Sequence, residues 1–306
     1  MLVYWLFRLT ILLMRPLPLW LGYRIAAVVA EVCYHFFGRQ RRALNDNLAW
    51  VLGSTDRRQV DAVARRAFRN FGKFVIDFIH FPVLTREEVR RRLAFSQWVE
   101  LDEVMASGRG MLIVTMHYGV FDLGGAALAA YDYPVNAIGD NYGVAKMDAI
   151  IHGSREKLGM KVIPVDRVGT GIFRALKRGE ILALVIDVPP PDQTILVDFL
   201  GAQAEVSSTP ARLALRTGAW VVPAMVLRGP EHDAIIRPIL DTRTVRYEPT
   251  GDEERDVREL TRLIMAALEP HVREHPEQWF IFRHMWPQLR GIVSDKAVRA
   301  QMEPRP

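Results

Sequence analysis

Residues 111–122 run Met111-Leu112-Ile113-Val114-Thr115-Met116-His117-Tyr118-Gly119-Val120-Phe121-Asp122. A short apolar run stops just short of a histidine, passes a glycine and enters a helical stretch, 121–130. Strand, loop and helix in that order form the repeating unit of α/β proteins, which keep their sites at the carboxyl ends of the strands. The same grammar continues downstream. Strands are expected at 135–138, 161–165, 181–186, 195–199, 220–227 and 234–238, and helices at 145–158, 171–177, 209–217 and about 253–268. The run 181–186 is apolar at every position, as in a strand buried on both faces. The expected fold is therefore α/β, with a mixed, largely parallel sheet sandwiched by helices.

Upstream of this unit the pattern is helical. Between residues 56 and 81, Val60, Val63, Ala67, Phe68, Phe71, Val75, Phe78 and Ile79 recur at three- and four-residue spacing. Asp56 is placed to start that helix and Pro82 to end it. Thr85 with Glu88 three residues on has the spacing of a capping box.

Residues 1–38 differ from the rest: they are rich in Leu, Val, Phe, Tyr and Trp. A spanning helix needs ~20 consecutive, mostly apolar residues. Here Arg8, Arg15, Arg24 and Glu31 interrupt the run, and Pro16 and Pro18 break it. One or two helices with wide apolar faces, edged by Tyr4, Trp5, Trp20 and Tyr23, suit insertion at the headgroup boundary. Arg39, Arg41 and Arg42 follow, suited to anionic headgroups. Monotopic attachment is the expectation, with a single tilted span or a buried helical hairpin as the other readings. The chain divides accordingly into a membrane-anchoring helical segment, 1–45, and a catalytic domain, 46–306.

Composition sets outer bounds. The chain has 306 residues, 50% hydrophobic and 25% charged, which excludes disordered and low-complexity classes. Lys and Arg number 40 against 35 Asp and Glu, a net charge of +5 that suits a phosphate-bearing or otherwise acidic partner. The single cysteine, Cys33, permits neither an intrachain disulfide nor a zinc finger. The arginines of 57–69 lack interleaved aromatic residues and no recognition module accompanies them, so no nucleic-acid partner is expected.

His117 and Asp122 carry the chemistry. A carboxylate on one imidazole nitrogen fixes the tautomer and leaves the other to accept a proton. Spacing alone leaves a second reading open, a loop histidine beside a helix-capping aspartate. Asp187, at the end of the apolar run 181–186, could contact an acceptor, brace the site or cap a turn. Arg155 is the candidate for neutralising charge at the site, or else a surface helix arginine. No Gly-x-Ser-x-Gly elbow is present, so no serine acyl-enzyme is expected, and no glycine-rich phosphate loop or metal-ligand spacing appears.

His-x4-Asp after an apolar strand does not stand alone. Arg155 follows in a helix, then Ala175-Leu176-Lys177-Arg178-Gly179, then Asp198-Phe199-Leu200-Gly201. Thr209-Pro210-Ala211-Arg212-Leu213-Ala214-Leu215-Arg216-Thr217-Gly218-Ala219 runs into Val221-Val222-Pro223. His275-Pro276-Glu277-Gln278-Trp279, with Arg283 and Trp286, stands near the end. In this order, across roughly residues 1–290, the chain resembles the acyltransferases of bacterial lipid A biosynthesis and their glycolipid-acylating relatives, within the glycerolipid acyltransferase superfamily. Many members have Gly-Asn-Trp-Glu where this chain has Gly119-Val120-Phe121-Asp122. The Asp form is similar to that of relatives acylating phosphatidylinositol mannosides. Val188-Pro189-Pro190 after Asp187 also departs from the common Gln.

The resemblance implies a membrane-associated O-acyltransferase on the cytoplasmic face of the inner (plasma) membrane. It would move a fatty acyl group from an acyl carrier protein or coenzyme A thioester to a hydroxyl of a glycolipid, a lipid A precursor or a phosphatidylinositol mannoside. His117 would act as general base oriented by Asp122; Arg155, Asp187 and Arg212 would bind substrate; no metal or cofactor would be needed. A lysophospholipid acyltransferase, a lipid hydrolase using the same dyad, and a non-catalytic lipid-binding protein are the alternative functions.

Overall fold

The computed structural model describes residues 2–14, 16–139, 143–164, 168–229, 234–243 and 245–293. Its centre is a six-stranded sheet built from β1 (Met111–Thr115), β2 (Val135–Ile138), β3 (Lys161–Ile163), β4 (Ile181–Val185), β7 (Trp220–Arg228) and β8 (Ile236–Leu240). The order across it is β3-β2-β4-β1-β7-β8, parallel throughout except for β8, which runs antiparallel on β7. The fold class read from the strand–helix alternation matches this sheet and its flanking helices. A separate antiparallel pair, β5 (Thr194–Phe199) and β6 (Ala202–Ser207), stands beside it.

Helices cover both faces. α7 (Phe121–Ala130) follows β1 and packs with Ile113, Val135, Ala137 and Val222 in one apolar cluster. On the other face, α9 (Val168–Lys177), α10 (Thr209–Thr217) and α11 (Glu253–Glu274) pack with Leu112, Val114, Leu182 and Leu184. α8 (Ala145–Lys157) lies between β2 and β3 in sequence. Several bounds differ from the sequence reading. The strand expected at 161–165 ends at Ile163, and Val165 lies outside the described residues. The strand expected at 234–238 runs Ile236–Leu240, because its pairing with β7 begins at Ile236 opposite Arg228. α11 continues past Leu268 through Pro270, since Leu268 and Val272 carry its buried stripe one turn further. β6 and the short helix α6 (Trp98–Ala106) are not among the elements read from the sequence.

The amino-terminal region forms α1 (Leu2–Met14) and α2 (Leu19–Phe36), broken between them at the prolines. Both pack on α4 (Arg57–His80), α2 extensively, through Tyr23, Ala26, Ile76 and Ile79. Their opposite sides stay exposed and apolar: Leu12 is 69% and Phe36 82% accessible, with Leu9, Leu13, Trp20, Val28, Val29 and Val32 also open. Among the described residues no helix is long and apolar enough to cross a membrane.

α3 (Gly38–Leu52) runs without a break across residues 45 and 46, where the sequence reading divided the chain. Arg39 and Arg42 on it are exposed, but Asp46 and Asn47 are buried. Asp46 accepts from Gly291 N–H at 2.7 Å, and Asn47 donates to the Arg283 carbonyl at 2.6 Å. This helix therefore serves the core as well as the basic surface.

Tyr23 of α2 reaches a buried ionic cluster. Asp77 of α4, 1% exposed, is paired with Arg92 of α5 (Arg86–Arg92) and Arg228 of β7, and accepts from the Tyr23 hydroxyl at 2.7 Å. Two guanidiniums on one carboxylate tie α2, α4, α5 and the sheet together. Removing one member of a buried pair leaves charge without compensation. Asp77→Ala is therefore expected to lower unfolding free energy by about 3–5 kcal/mol, read from the denaturant midpoint, while Tyr23→Phe should cost much less.

Candidate active site

The site lies over the carboxyl ends of β1 and β4, which are neighbours in the sheet. Their parallel register sets Thr115 opposite Val185. His117 and Asp187 each follow two residues later, so the chain brings them together at the same height. Asp187 Oδ1 lies 2.8 Å from His117 Nδ1. The His117 backbone N–H donates to the same carboxylate at 3.0 Å, and the indole N–H of Trp279 donates to Oδ2 at 3.1 Å.

Asp187 is 0% exposed. Burial by itself would raise its pKa. The charge and ring hydrogen bond of His117, the Trp279 indole and the backbone N–H outweigh that and hold the carboxyl below the usual carboxylate range. Asp187 is thus ionised, and an ionised carboxylate only accepts hydrogen bonds, so Nδ1 of His117 carries the hydrogen between them. Arg283 braces the loop from behind, donating to the Asp187 carbonyl at 2.7 and 3.1 Å.

The segment after α11 holds the histidine loop from the other side. Gly119 N–H donates to the Gln278 carbonyl at 2.8 Å, and Phe280 N–H to the His117 carbonyl at 2.8 Å. Gly119 has φ +58°, and a Cβ there would strike the Val226 carbonyl, so this turn requires glycine. The Pro276-Glu277-Gln278-Trp279 stretch, which the sequence shows as part of the family resemblance, supplies the Gln278 carbonyl here and the Trp279 indole on Asp187. The sequence assigns that tryptophan no role on the carboxylate, because an indole near the chain end carries no catalytic signature.

The sequence reading placed Asp122 on the histidine. The structure instead sets Asp187 on Nδ1, while Asp122 Oδ2 receives Arg155 Nη2 at 3.1 Å, with both side chains buried. Asp122 sits in the first turn of α7 and Arg155 in the last turn of α8, so this pair joins two helices at the site. His117, Asp122 and Arg155 all line one cavity of about 670 Å³. Arg212 is not among its lining residues. It is a half-exposed arginine on α10 paired with Glu253 at 3.1 Å. The cavity is within the size range of ligand pockets, and apart from these groups and a few hydroxyls and amides its walls are aliphatic and aromatic.

The model of the bacterial lipid A biosynthesis acyltransferase family matches residues 1–288. The chain belongs to that family. Similar curated proteins include the phosphatidylinositol mannoside acyltransferase of Mycobacterium tuberculosis, 22% identical over 269 residues, covering 86% of this chain and 81% of the relative. That of Mycolicibacterium smegmatis is 21% identical over 248 residues, covering 79% and 78%. Acyl transfer by an enzyme with a His/Asp pair is thus supported at the level of the lipid A acyltransferase family.

The depressed pKa of Asp187 has a consequence for stability. A group whose folded pKa lies below its unfolded value of ~3.9 contributes stability above that pH and loses it as pH falls through the folded value. The difference in unfolding free energy between wild type and Asp187→Asn should therefore be largest near neutrality and shrink below about pH 4. Urea midpoints measured at both pH values check this.

Proposed function

We propose that this protein transfers a fatty acyl group from a thioester, carried by acyl carrier protein or coenzyme A, to a hydroxyl of a membrane glycolipid. His117 is the general base. With Nδ1 engaged by Asp187, Nε2 takes the proton of the acceptor hydroxyl as its oxygen attacks the thioester carbonyl. The tetrahedral intermediate then expels the thiolate; the C–S bond breaks, and the imidazolium returns the proton to sulfur. No acyl-enzyme forms. Asp187 orients the ring and stabilises its charged form, while Asp122 holds Arg155 so that a fixed cation faces the cavity where negative charge develops. The single observation that carries this reading is a histidine with a buried, ionised carboxylate on Nδ1, set in a largely apolar cavity.

The acceptor is best read as a phosphatidylinositol mannoside or a similar glycolipid. Asp122 stands where many family members have Glu, and the curated relatives act on phosphatidylinositol mannosides by name. Attachment to the membrane is monotopic. The exposed apolar sides of α1 and α2 would enter the headgroup boundary, and Arg39 and Arg42 would meet anionic lipid. Phe74 and Phe78 of α4, the helix on which α1 and α2 pack, also line the cavity, which supports a site close to the surface where the acceptor resides.

Three results are expected. His117→Ala should abolish labelled acyl transfer from acyl carrier protein or coenzyme A thioesters to phosphatidylinositol mannosides, and Asp187→Asn should lower it by about 10²- to 10⁴-fold. Loss of the Asp187 charge disfavours imidazolium, so the acid limb of kcat/KM should move to lower pH in Asp187→Asn and stay in place in Asp122→Asn. Unchanged transfer by His117→Ala would overturn the assignment. A Leu12→Glu, Phe36→Glu double variant should float poorly with anionic vesicles while keeping its folded circular-dichroism spectrum.

A further inference from the structure

Three tryptophans gather at the turn of the β5–β6 hairpin, and their indole N–H groups are used differently. Trp286 donates to the Phe199 carbonyl at 3.1 Å, and Trp50 of α3 to the Leu200 carbonyl at 3.1 Å. Both hold backbone at the hairpin turn. Trp279 is buried as deeply as Trp286, but it turns its N–H onto the Asp187 carboxylate. A buried indole N–H needs an acceptor. Here the acceptor is the group that sits on the imidazole.

The indole is fixed in that position. Phe199 and Trp286 meet it edge-on, with ring centres 6.0 and 5.9 Å away. Its backbone stands opposite Tyr118 in an antiparallel bridge, flanked by the bonds from Gly119 to Gln278 and from Phe280 to His117. One local pairing therefore carries both Trp279 and His117, and they reach the same carboxylate from two sides. The imidazole sits on Oδ1 and the indole on Oδ2. Among the described residues no other side chain donates to Oδ2; its second donor is the His117 backbone.

A donor on Oδ2 draws negative charge away from Oδ1 and weakens the carboxylate's pull on a proton. Without that donor the pair holds a proton more tightly, whether the proton is counted on the ring or on the carboxyl. Other charges stand around the pair. Arg283 lies behind the Asp187 carbonyl with Glu205 at 3.5 Å, and Asp122 with Arg155 lines the cavity beside His117.

We propose that Trp279 is a positioning residue for acyl transfer. Its N–H fixes the rotation of the Asp187 carboxylate and limits the proton affinity of the His117–Asp187 pair, so that Nε2 is unprotonated when the acceptor hydroxyl must give up its proton. The inference deepens the general-base reading of His117 above and rests on it. Trp279 does not line the cavity and acts through the carboxylate. Phenylalanine in its place keeps a ring against Phe199 and Trp286 and removes the donor.

The test uses full-length protein in detergent micelles, labelled at the histidine Cε1 carbons. Among the eight histidines, the His117 signal is the one that His117→Gln removes, and its pH titration is followed by NMR. In Trp279→Phe the midpoint should rise by about one pH unit. The acid limb of kcat/KM for acyl transfer to phosphatidylinositol mannoside should rise with it, opposite to the fall expected for Asp187→Asn. Trp286→Phe removes an equally buried indole and should leave the midpoint in place. If Trp279→Phe slows transfer equally at every pH with the midpoint unmoved, or if Trp286→Phe moves the midpoint as far, Trp279 only packs and the inference falls. If Trp279→Phe does not fold, 3-benzothienylalanine at position 279, which has sulfur in place of the N–H, decides by the same midpoint. If the midpoint rises as expected while wild type transfers no acyl group, the tuning of the pair stands and the transfer reading falls.

Discussion

A carboxylate with no solvent contact stays ionised only when its surroundings supply donors and opposite charge. Asp187 has both, from the His117 ring, the His117 backbone and the Trp279 indole. Those three donors come from the end of β1 and from the segment after α11, while the carboxylate comes from the end of β4. The parallel pairing of β1 with β4 is thus the constraint on which the rest depends. A slip of one residue in that register would turn one of the two side chains to the wrong face. The fixing of that loop by Gly119, Phe280 and Arg283 serves the same end from three directions.

Charge elsewhere is arranged in the same manner, as buried pairs that join elements distant in sequence. Asp122 and Arg155 link α7 to α8 at the cavity wall. Asp77 with Arg92 and Arg228 links the helices that carry the exposed apolar surface to the sheet. The chain also connects these clusters. The Arg228 backbone N–H donates to the Gln278 side chain, and the Gln278 carbonyl receives the Gly119 N–H in the histidine loop. Hydrogen bonds and the residues between them therefore connect α2 to the site.

Much of the fold was legible in the sequence because its signals are local. The strand runs at 111–115 and 181–185, the amphipathic stripe of α4 and the capping box at Thr85 and Glu88 each follow from neighbouring residues, and the structure has all of them. Where signals were weak the reading fell short. β6 has only two alanines and a valine on its apolar side, and α3 looked like a basic stretch while its Asp46 and Asn47 turn inward to hold the last segment. Arg212 shares a motif with residues at the cavity but stands on the outer face of its helix, a matter of helical phase against the sheet.

The sequence by itself determined that a histidine would end one buried strand and an aspartate would follow another, and that the chain would carry an apolar helical face at its start. It could not determine which carboxylate the imidazole meets. Asp122 is five residues away from His117 and Asp187 seventy, so sequence distance pointed away from the carboxylate that sits on Nδ1. The choice was made by strand order and register, which depend on how every strand packs against both helical layers. The cavity has the same origin. Ala137, Met160 and Ala183 carry no signal in the sequence, and only the stacking of α7 on the sheet brings them to one cavity with Gly125.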